Sequence, residues 1–355
     1  MKKILIIINN LGVGGAERVV VDDINEMIRL GIKVKLLTLK PEYGNSLSLQ
    51  CKISQDDWVV FPFRGFGDIF SWYKTISFIK SYEPDLVVTH LWFANTIGRI
   101  AAKFAGAKKI ISFEQNVYDT VKTPKMFFID KILQSQCLKV IAVSEVVRKS
   151  LLLNGIKEKN IDVVYNSVDI KRYGSVIPDK DITLNNNFKF LFVGRLIKQK
   201  GVDVLINSFS NFSGATLYIA GRGNEESVLQ QLVRKNGLGD KVVFLGLRND
   251  VPSLMKACDC FVYPSRYDGF SLVLLEALAS GIPVIASDFE ASKEMIKDGE
   301  SGVIVSVDDI GVLRAAMDDI MKNKDKREKL SSGAVKRAED FSIEKHVAKL
   351  IEYAK

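Results

Sequence analysis

Pro264-Ser265-Arg266-Tyr267-Asp268-Gly269-Phe270-Ser271-Leu272-Val273-Leu274-Leu275-Glu276-Ala277 decides how this 355-residue chain is read. Asp268 and Glu276 stand eight positions apart, with a Gly-Phe-Ser turn between them and an apolar run leading to the glutamate. The pattern predicts a strand end, a tight loop and a helix whose first turn faces a ligand. Carboxylates accept hydrogen bonds from paired hydroxyls, which suits a sugar. The loop's N–H groups and the helix N-terminus suit phosphate. Together they point to a pocket for a nucleotide sugar.

Outward from this stretch, short apolar runs alternate with helical patterns. Strands are expected at 4–8, 34–39, 86–89, 109–113, 140–143 and 161–165, then at 190–193, 215–220, 242–245, 260–263, 284–286 and 302–305. Near-continuous apolar strands joined by helices make parallel sheets covered on both faces. Two such series predict an α/β fold of two doubly wound, Rossmann-like domains. The expected division is a domain at 1–170, a linker at 171–187, a second domain at 188–341 and a terminal helix at 342–355. The linker contains Gly174, Pro178 and Asn185-Asn186-Asn187 and has no apolar periodicity. Ligands of open parallel sheets lie beyond the carboxyl ends of the strands, so two facing domains are expected to enclose a cleft.

Composition narrows the function. Hydrophobic residues make up 47% and charged residues 26%, as in ordinary globular proteins. No apolar run reaches the roughly 18–20 residues of a membrane span. Ile4–Ile8 is too short for a signal peptide and ends in Asn9-Asn10, so a buried strand is expected. Four cysteines without Cys-x-x-Cys, and two histidines, argue against structural zinc and fit a reducing cytoplasm. Net charge is +8; residues 1–170 hold 23 basic and 17 acidic side chains, and the remainder 27 and 25. The excess in the first half suits an anionic membrane surface or an acidic substrate, or serves solubility alone. The basic residues are scattered and no nucleic-acid module is visible, so nucleic acid is not an expected partner.

Several strand ends carry candidate chemistry. Asn9-Asn10-Leu11-Gly12-Val13-Gly14-Gly15-Ala16-Glu17-Arg18 lets backbone approach a ligand at Gly14 and Gly15, or is a plain tight turn. A dinucleotide fingerprint wants glycine where Glu17 stands and an acid where Lys40-Pro41 stand. No Gly-x-x-x-x-Gly-Lys-Ser/Thr occurs. In Phe190-Leu191-Phe192-Val193-Gly194-Arg195-Leu196-Ile197-Lys198-Gln199-Lys200-Gly201, Arg195 offers a planar fork and Lys200 a point charge for a diphosphate; otherwise both are solvated loop residues. Gly221 and Leu247, at later strand-to-helix turns, read as ordinary loop residues or as contacts to a base. His90 ends a strand, facing the cleft or satisfied by a carbonyl; His346, among Lys and Glu, is expected at the surface. Aromatic residues cluster at 61–78 and at Met126-Phe127-Phe128. Core packing is the first reading; the second is a lipid interface helped by Arg64, Lys74, Lys122 and Lys125.

Residues 190–287 resemble the C-terminal half of family-4 glycosyltransferases, which have the GT-B fold and retain anomeric configuration. Val193-Gly194-Arg195…Lys200-Gly201 and Pro264-Ser265…Asp268-Gly269-Phe270…Glu276-Ala277…Gly281-Ile282-Pro283-Val284 carry the resemblance. Gly14-Gly15-Ala16-Glu17-Arg18 and Tyr165-Asn166-Ser167-Val168-Asp169 extend it to the first half. It implies that Arg195 and Lys200 bind the diphosphate and Glu276 the ribose. It also implies that Asp268 contacts the donor sugar, and that amides at Gly269, Phe270, Ser271 and Leu272 touch sugar or phosphate. The family usually has Glu at position 268. It often has a histidine where Gln115 stands here, so Glu114, Gln115 or His90 is left to face the sugar. The implied activity is metal-independent transfer from a nucleotide-diphospho-sugar, UDP-linked, to a lipid-linked or surface glycan. The expected location is the cytoplasm at the inner membrane surface. The alternatives are a sugar-nucleotide epimerase of the same architecture and a non-catalytic sugar-nucleotide-binding protein.

Overall fold

The computed structural model describes residues 2–42, 44, 46–117, 122–174 and 176–355. The chain divides into two compact units, Met1–Ser167 with Ile343–Lys355, and Val168–Ser342.

The first unit contains β1 (Lys3–Ile8), α1 (Gly15–Arg29), β2 (Lys33–Thr38), β3 (Trp58–Val60), α2 (Ile69–Tyr82), β4 (Leu86–His90), α3 (Trp92–Phe104), β5 (Ile110–Glu114), α4 (Pro124–Leu133), β6 (Lys139–Ala142), α5 (Glu145–Leu153) and β7 (Ile161–Val163). Its seven strands are all parallel, in the order β3-β2-β1-β4-β5-β6-β7. β1 lies inside the sheet with Ile4–Ile8 fully buried, and Ile4 is paired to Val34 on one side and Leu86 on the other. Strand side chains alternate between faces. Leu5, Ile7, Leu37 and Val87 therefore share one face, where Ile79 of α2 and Ala94, Ile97 and Ala101 of α3 cover them. The edge strand β3 was not expected; at three residues it is too short to show alternation.

The second unit contains α6 (Lys171–Gly174), α7 (Lys180–Thr183), β8 (Phe188–Val193), α8 (Val202–Ser208), β9 (Ala215–Ala220), α9 (Glu226–Lys235), β10 (Val242–Gly246), α10 (Val251–Ala257), β11 (Cys260–Tyr263), α11 (Leu272–Ser280), β12 (Val284–Ser287), α12 (Glu290–Met295), β13 (Val303–Val305), α13 (Ile310–Lys322) and α14 (Lys324–Ala338). Its parallel sheet runs β10-β9-β8-β11-β12-β13. The stretch expected as a linker at 171–187 falls within the second unit, where Tyr173 and Ile182 are buried. Asp179 caps α7 through the Ile182 N–H and accepts a 2.6 Å bond from Arg248, beside α10. Local capping and an ion pair stand in for the missing apolar periodicity.

After the second unit, α15 (Ile343–Ala354) returns to the first and packs on α1. Lys2 donates to the Ala354 carbonyl at 2.7 Å, and the Tyr353 hydroxyl to Asp162 at 2.8 Å. His346 corrects the surface expectation. It is buried, its Nδ1–H donates to the Tyr165 carbonyl at 2.7 Å, and its Nε2 lies 3.4 Å from Asp23.

Candidate active site

In the second unit the chain moves from β8 outward through β9 to β10, then restarts at β11 on the other side of β8. Such a reversal opens a crevice beyond the strand ends, the usual ligand site of an open parallel sheet. The loops after β8 and β11 flank it, and they carry the residues singled out from sequence.

Those two loops are knitted together. The Arg266 N–H donates to the Gln199 carbonyl, and the Gln199 amide to the Tyr267 carbonyl, both at 2.8 Å. Gly201 has φ +65°, and a Cβ there would lie 2.0 Å from the Pro264 carbonyl oxygen, so only glycine allows this approach. Gly221 is equally constrained. With φ +144°, a Cβ would lie 1.8 Å from the Gly194 carbonyl oxygen. Its glycine is required by backbone nesting, whatever it does for a ligand. Leu247, just past β10, is exposed.

The fixed turn buries Lys200 and aims it at two partners. Its Nζ donates to the Tyr263 hydroxyl at 2.6 Å and to Asp268 Oδ2 at 2.8 Å. The Tyr263 hydroxyl in turn donates to the same Oδ2 at 2.7 Å, closing a three-membered ring of hydrogen bonds. Asp268 Oδ1 accepts from the Gly269 N–H at 3.0 Å. Burial alone would lower the Lys200 pKa; the contacts to Tyr263 and Asp268 outweigh it and raise the pKa, so the ammonium stays charged. Burial, then the Asp268 charge, pushes the Tyr263 phenol up to about 12. Two of the three ammonium donors are used, which leaves one for a ligand. Tyr263 was absent from the sequence-based candidates because it ends an apolar strand and reads as core.

Arg195 lies exposed just past β8, with no ion-pair partner among the described residues. Ser271 is the N-cap residue of α11 and makes no side-chain cap bond, and the first turn of the helix begins at Leu272. Phe270 is buried edge-on against Phe341, with centroids 5.7 Å apart. Glu276 is half-buried one turn into α11. Arg195, Lys200, Asp268, Gly269, Phe270, Ser271, Leu272 and Glu276 thus belong to the loops and helix start at this switch point.

The first unit has the same topology, with its reversal between β1 and β4. Gly14 is the extended N-cap of α1 and Gly15 its first residue. Two catalytic candidates there, His90 and Glu114, are buried. His90 is fully buried and stacked on Phe113, with centroids 4.7 Å apart. Burial, then the neighbouring His346 charge, pushes it down to about 3, so the imidazole is neutral near pH 7. Glu114 is also buried: Oε1 accepts from Asn95 at 3.3 Å and Oε2 from Lys122 at 3.0 Å. Lys122 further bridges to Asp130 at 2.6 Å, and Asp130 binds Arg99. Both carboxylate oxygens therefore serve an internal ion network. Beside it, Gln115 Oε1 accepts from Asn166 at 2.8 Å, and Gln115 Nε2 has no hydrogen-bond partner among the described residues.

Two family models match the chain. Glycosyltransferase Family 4 matches residues 13–172, and Glycosyl transferases group 1 matches residues 178–337. The chain is 26% identical over 372 residues to N-acetylgalactosamine-N,N'-diacetylbacillosaminyl-diphospho-undecaprenol 4-alpha-N-acetylgalactosaminyltransferase of Campylobacter jejuni, covering 99% of each chain. It is 27% identical over 303 residues to the UDP-Gal:alpha-D-GlcNAc-diphosphoundecaprenol alpha-1,3-galactosyltransferase of Escherichia coli, covering 77% of this chain and 75% of that one. Among solved structures, HepE of Anabaena in complex with UDP-glucose superposes with a TM-score of 0.84 at 22% identity, covering 99% of both chains. The chain belongs to the family-4 glycosyltransferases and has their GT-B architecture of two parallel-sheet α/β domains.

Proposed function

We propose that this glycosyltransferase moves a sugar from a UDP-linked donor to a lipid-diphosphate-linked glycan, with retention of configuration. The observation that carries it is the Lys200–Tyr263–Asp268 ring, which joins the loop after β8, where Arg195 is exposed, to the loop after β11 that leads into α11. The names of the two relatives, both acting on diphospho-undecaprenol-linked glycans, support the acceptor class. The UDP-glucose complex of HepE supports the donor.

In this mechanism Arg195 and the third Lys200 donor hold the diphosphate, and Glu276 accepts hydrogen bonds from the ribose hydroxyls. The bond from sugar C1 to the phosphate oxygen breaks, and the diphosphate gains negative charge. Fixed cations and helix N–H groups stabilise that charge more in the transition state than in the ground state. The acceptor oxygen attacks C1 on the face the phosphate leaves, and its proton passes to the departing phosphate oxygen. These protein groups supply the positive charge, so no metal is required. Asp268 acts on Lys200 through the ring, in place of the direct sugar contact implied by family resemblance. Acceptor binding is assigned to the first unit.

The test has two parts. UDP should raise the melting temperature, as binding to the folded state requires. Transfer from an α-linked UDP-sugar to a polyprenyl-diphosphate glycan should give an α-linked product by NMR. A β-linked product, or no stabilisation by UDP, would refute the assignment.

A further inference from the structure

One helical layer of the first unit exposes several aromatic side chains together with lysines. α3 packs between α2 and α4. α2 turns Trp72, Ile76 and Ile79 inward and leaves Ile69, Phe70 and Tyr73 exposed by 81%, 67% and 70%. Phe104 at the end of α3 is 75% exposed, and Phe128 on α4 is 66% exposed, one turn before the exposed Ile132. The aromatic run at 61–78 is therefore split: Phe61, Phe63, Trp72 and Phe78 pack against the core, while Phe70 and Tyr73 face outward.

Within the three helices the exposed charges are of one sign, and the acids Asp68 and Glu83 stand at the two caps of α2. The exposed ionic residues of α2, α3 and α4 are Lys74, Lys80, Lys103, Lys125 and Lys131. The three helices contain one acid, Asp130, which is buried against Arg99 and Lys122. Lys122, expected at a lipid interface, is withdrawn into that network. The Lys74 ammonium lies 4.4 Å from the Phe70 ring centroid, so charge and aromatic surface are presented together.

We propose that the outer face of α2, α3 and α4 docks on an anionic lipid surface. A water-facing protein surface ordinarily mixes both signs of charge. Exposed rings beside lysines, with no exposed carboxylate within the three helices themselves, match a bilayer interface. The rings enter the boundary between headgroups and acyl chains, and the ammonium groups reach the lipid phosphates. The apolar side chains stand on three separate helices, and a fluid surface can take all of them at once. This goes beyond the proposed transfer and needs neither donor nor acceptor.

The test is flotation of the full chain with phosphatidylcholine vesicles, with and without phosphatidylglycerol, at low and high salt. Wild type should float with the anionic vesicles at low salt, and less at high salt. Lys103→Glu with Lys125→Glu should lower partitioning at least about tenfold, since each lysine near an anionic surface contributes measurably and reversal adds repulsion. Phe70→Ser with Tyr73→Ser should lower it by a similar factor. Lys329→Glu with Lys336→Glu, exposed on α14 of the second unit, changes net charge equally and should leave partitioning unchanged. If a glutamate pair fails to fold by circular dichroism, Lys103→Gln with Lys125→Gln gives the same comparison with half the charge change. Absence of wild-type binding to anionic vesicles overturns the proposal; binding to an acidic partner protein alone would be such a case. Equal loss in the α3/α4 and α14 variants also overturns it.

Discussion

Tyr263→Phe removes a single oxygen from the centre of the candidate site. That oxygen lies 2.6 Å from Lys200 Nζ and 2.7 Å from Asp268 Oδ2, and the residue is buried. Two hydrogen bonds to charged groups are lost, each worth about 1.5–3 kcal/mol. Lys200 and Asp268 keep their direct 2.8 Å contact, so neither charge is orphaned. The expected cost is therefore nearer one such bond than two, about 2–3 kcal/mol in stability. For a unit of this size that lowers the melting temperature by roughly 4–12 °C. The ammonium also loses the partner that fixes its direction. We expect UDP affinity to fall about tenfold, a loss of about 1.4 kcal/mol, and kcat/KM to fall at least as far. Calorimetric titration with UDP, alongside thermal melts and steady-state transfer assays, measures all three. A lower melting temperature with unchanged UDP affinity would refute the positioning role and leave Tyr263 a core residue. No change in either would refute the hydrogen-bond ring itself.

Arg195→Ala should cut kcat at least about 100-fold if the guanidinium supplies about 3 kcal/mol to the transition state; near wild-type turnover would remove it from the diphosphate site. His90 titrates near 6.5 when unfolded and near 3 when folded. Its depressed folded value means that the contribution is complete above pH 6.5 and is lost as pH falls, by about 2 kcal/mol between pH 6.5 and 5. His90→Gln should flatten that part of the stability profile, and urea melts at the two pH values check it. Glu114→Gln should destabilise the first unit by about 1–3 kcal/mol, because Lys122 loses one of its two buried carboxylates. At a temperature where it stays folded its kcat should match wild type; a selective loss of kcat would restore Glu114 as a catalytic group.

The alternation of apolar strands and helices was enough to read two parallel sheets, because a strand buried on both faces must be apolar along its whole length. Lys200 and Asp268 were singled out for a related reason: turn glycines and strand ends fix where a loop side chain emerges. Orientation within the strand end was not legible. His90 and Glu114 close β4 and β5 at the expected edge, but a strand's last residue can point into either helical layer or toward a ligand. Only the neighbours decide, here Phe113 for His90 and Lys122 for Glu114. The contact of Asp179 with Arg248, 69 positions away, also lies beyond any local pattern.

His346 is the instructive case, because its signal was present. Ile343, Val347, Leu350 and Ala354 recur at helical spacing along α15, and all are buried. Position 346 follows Ile343 by three and precedes Leu350 by four, so it falls inside the same stripe. The flanking Lys345 and Glu344 describe the other faces of the helix. A histidine within an apolar stripe has to find partners for its ring nitrogens or leave them unsatisfied in the core. The partners are supplied by Asp23 on α1 and the Tyr165 carbonyl after β7, both in the unit to which α15 returns. The same physics explains Tyr263: a polar atom at the end of an apolar run is buried only where other residues meet it. In β11 those residues are Lys200 and Asp268, the two charges on which the proposed chemistry depends. A hydroxyl or imidazole on an otherwise apolar stripe is thus a sequence-level pointer to a polar contact across the fold, and in this chain it marks both the anchoring of α15 and the candidate active site.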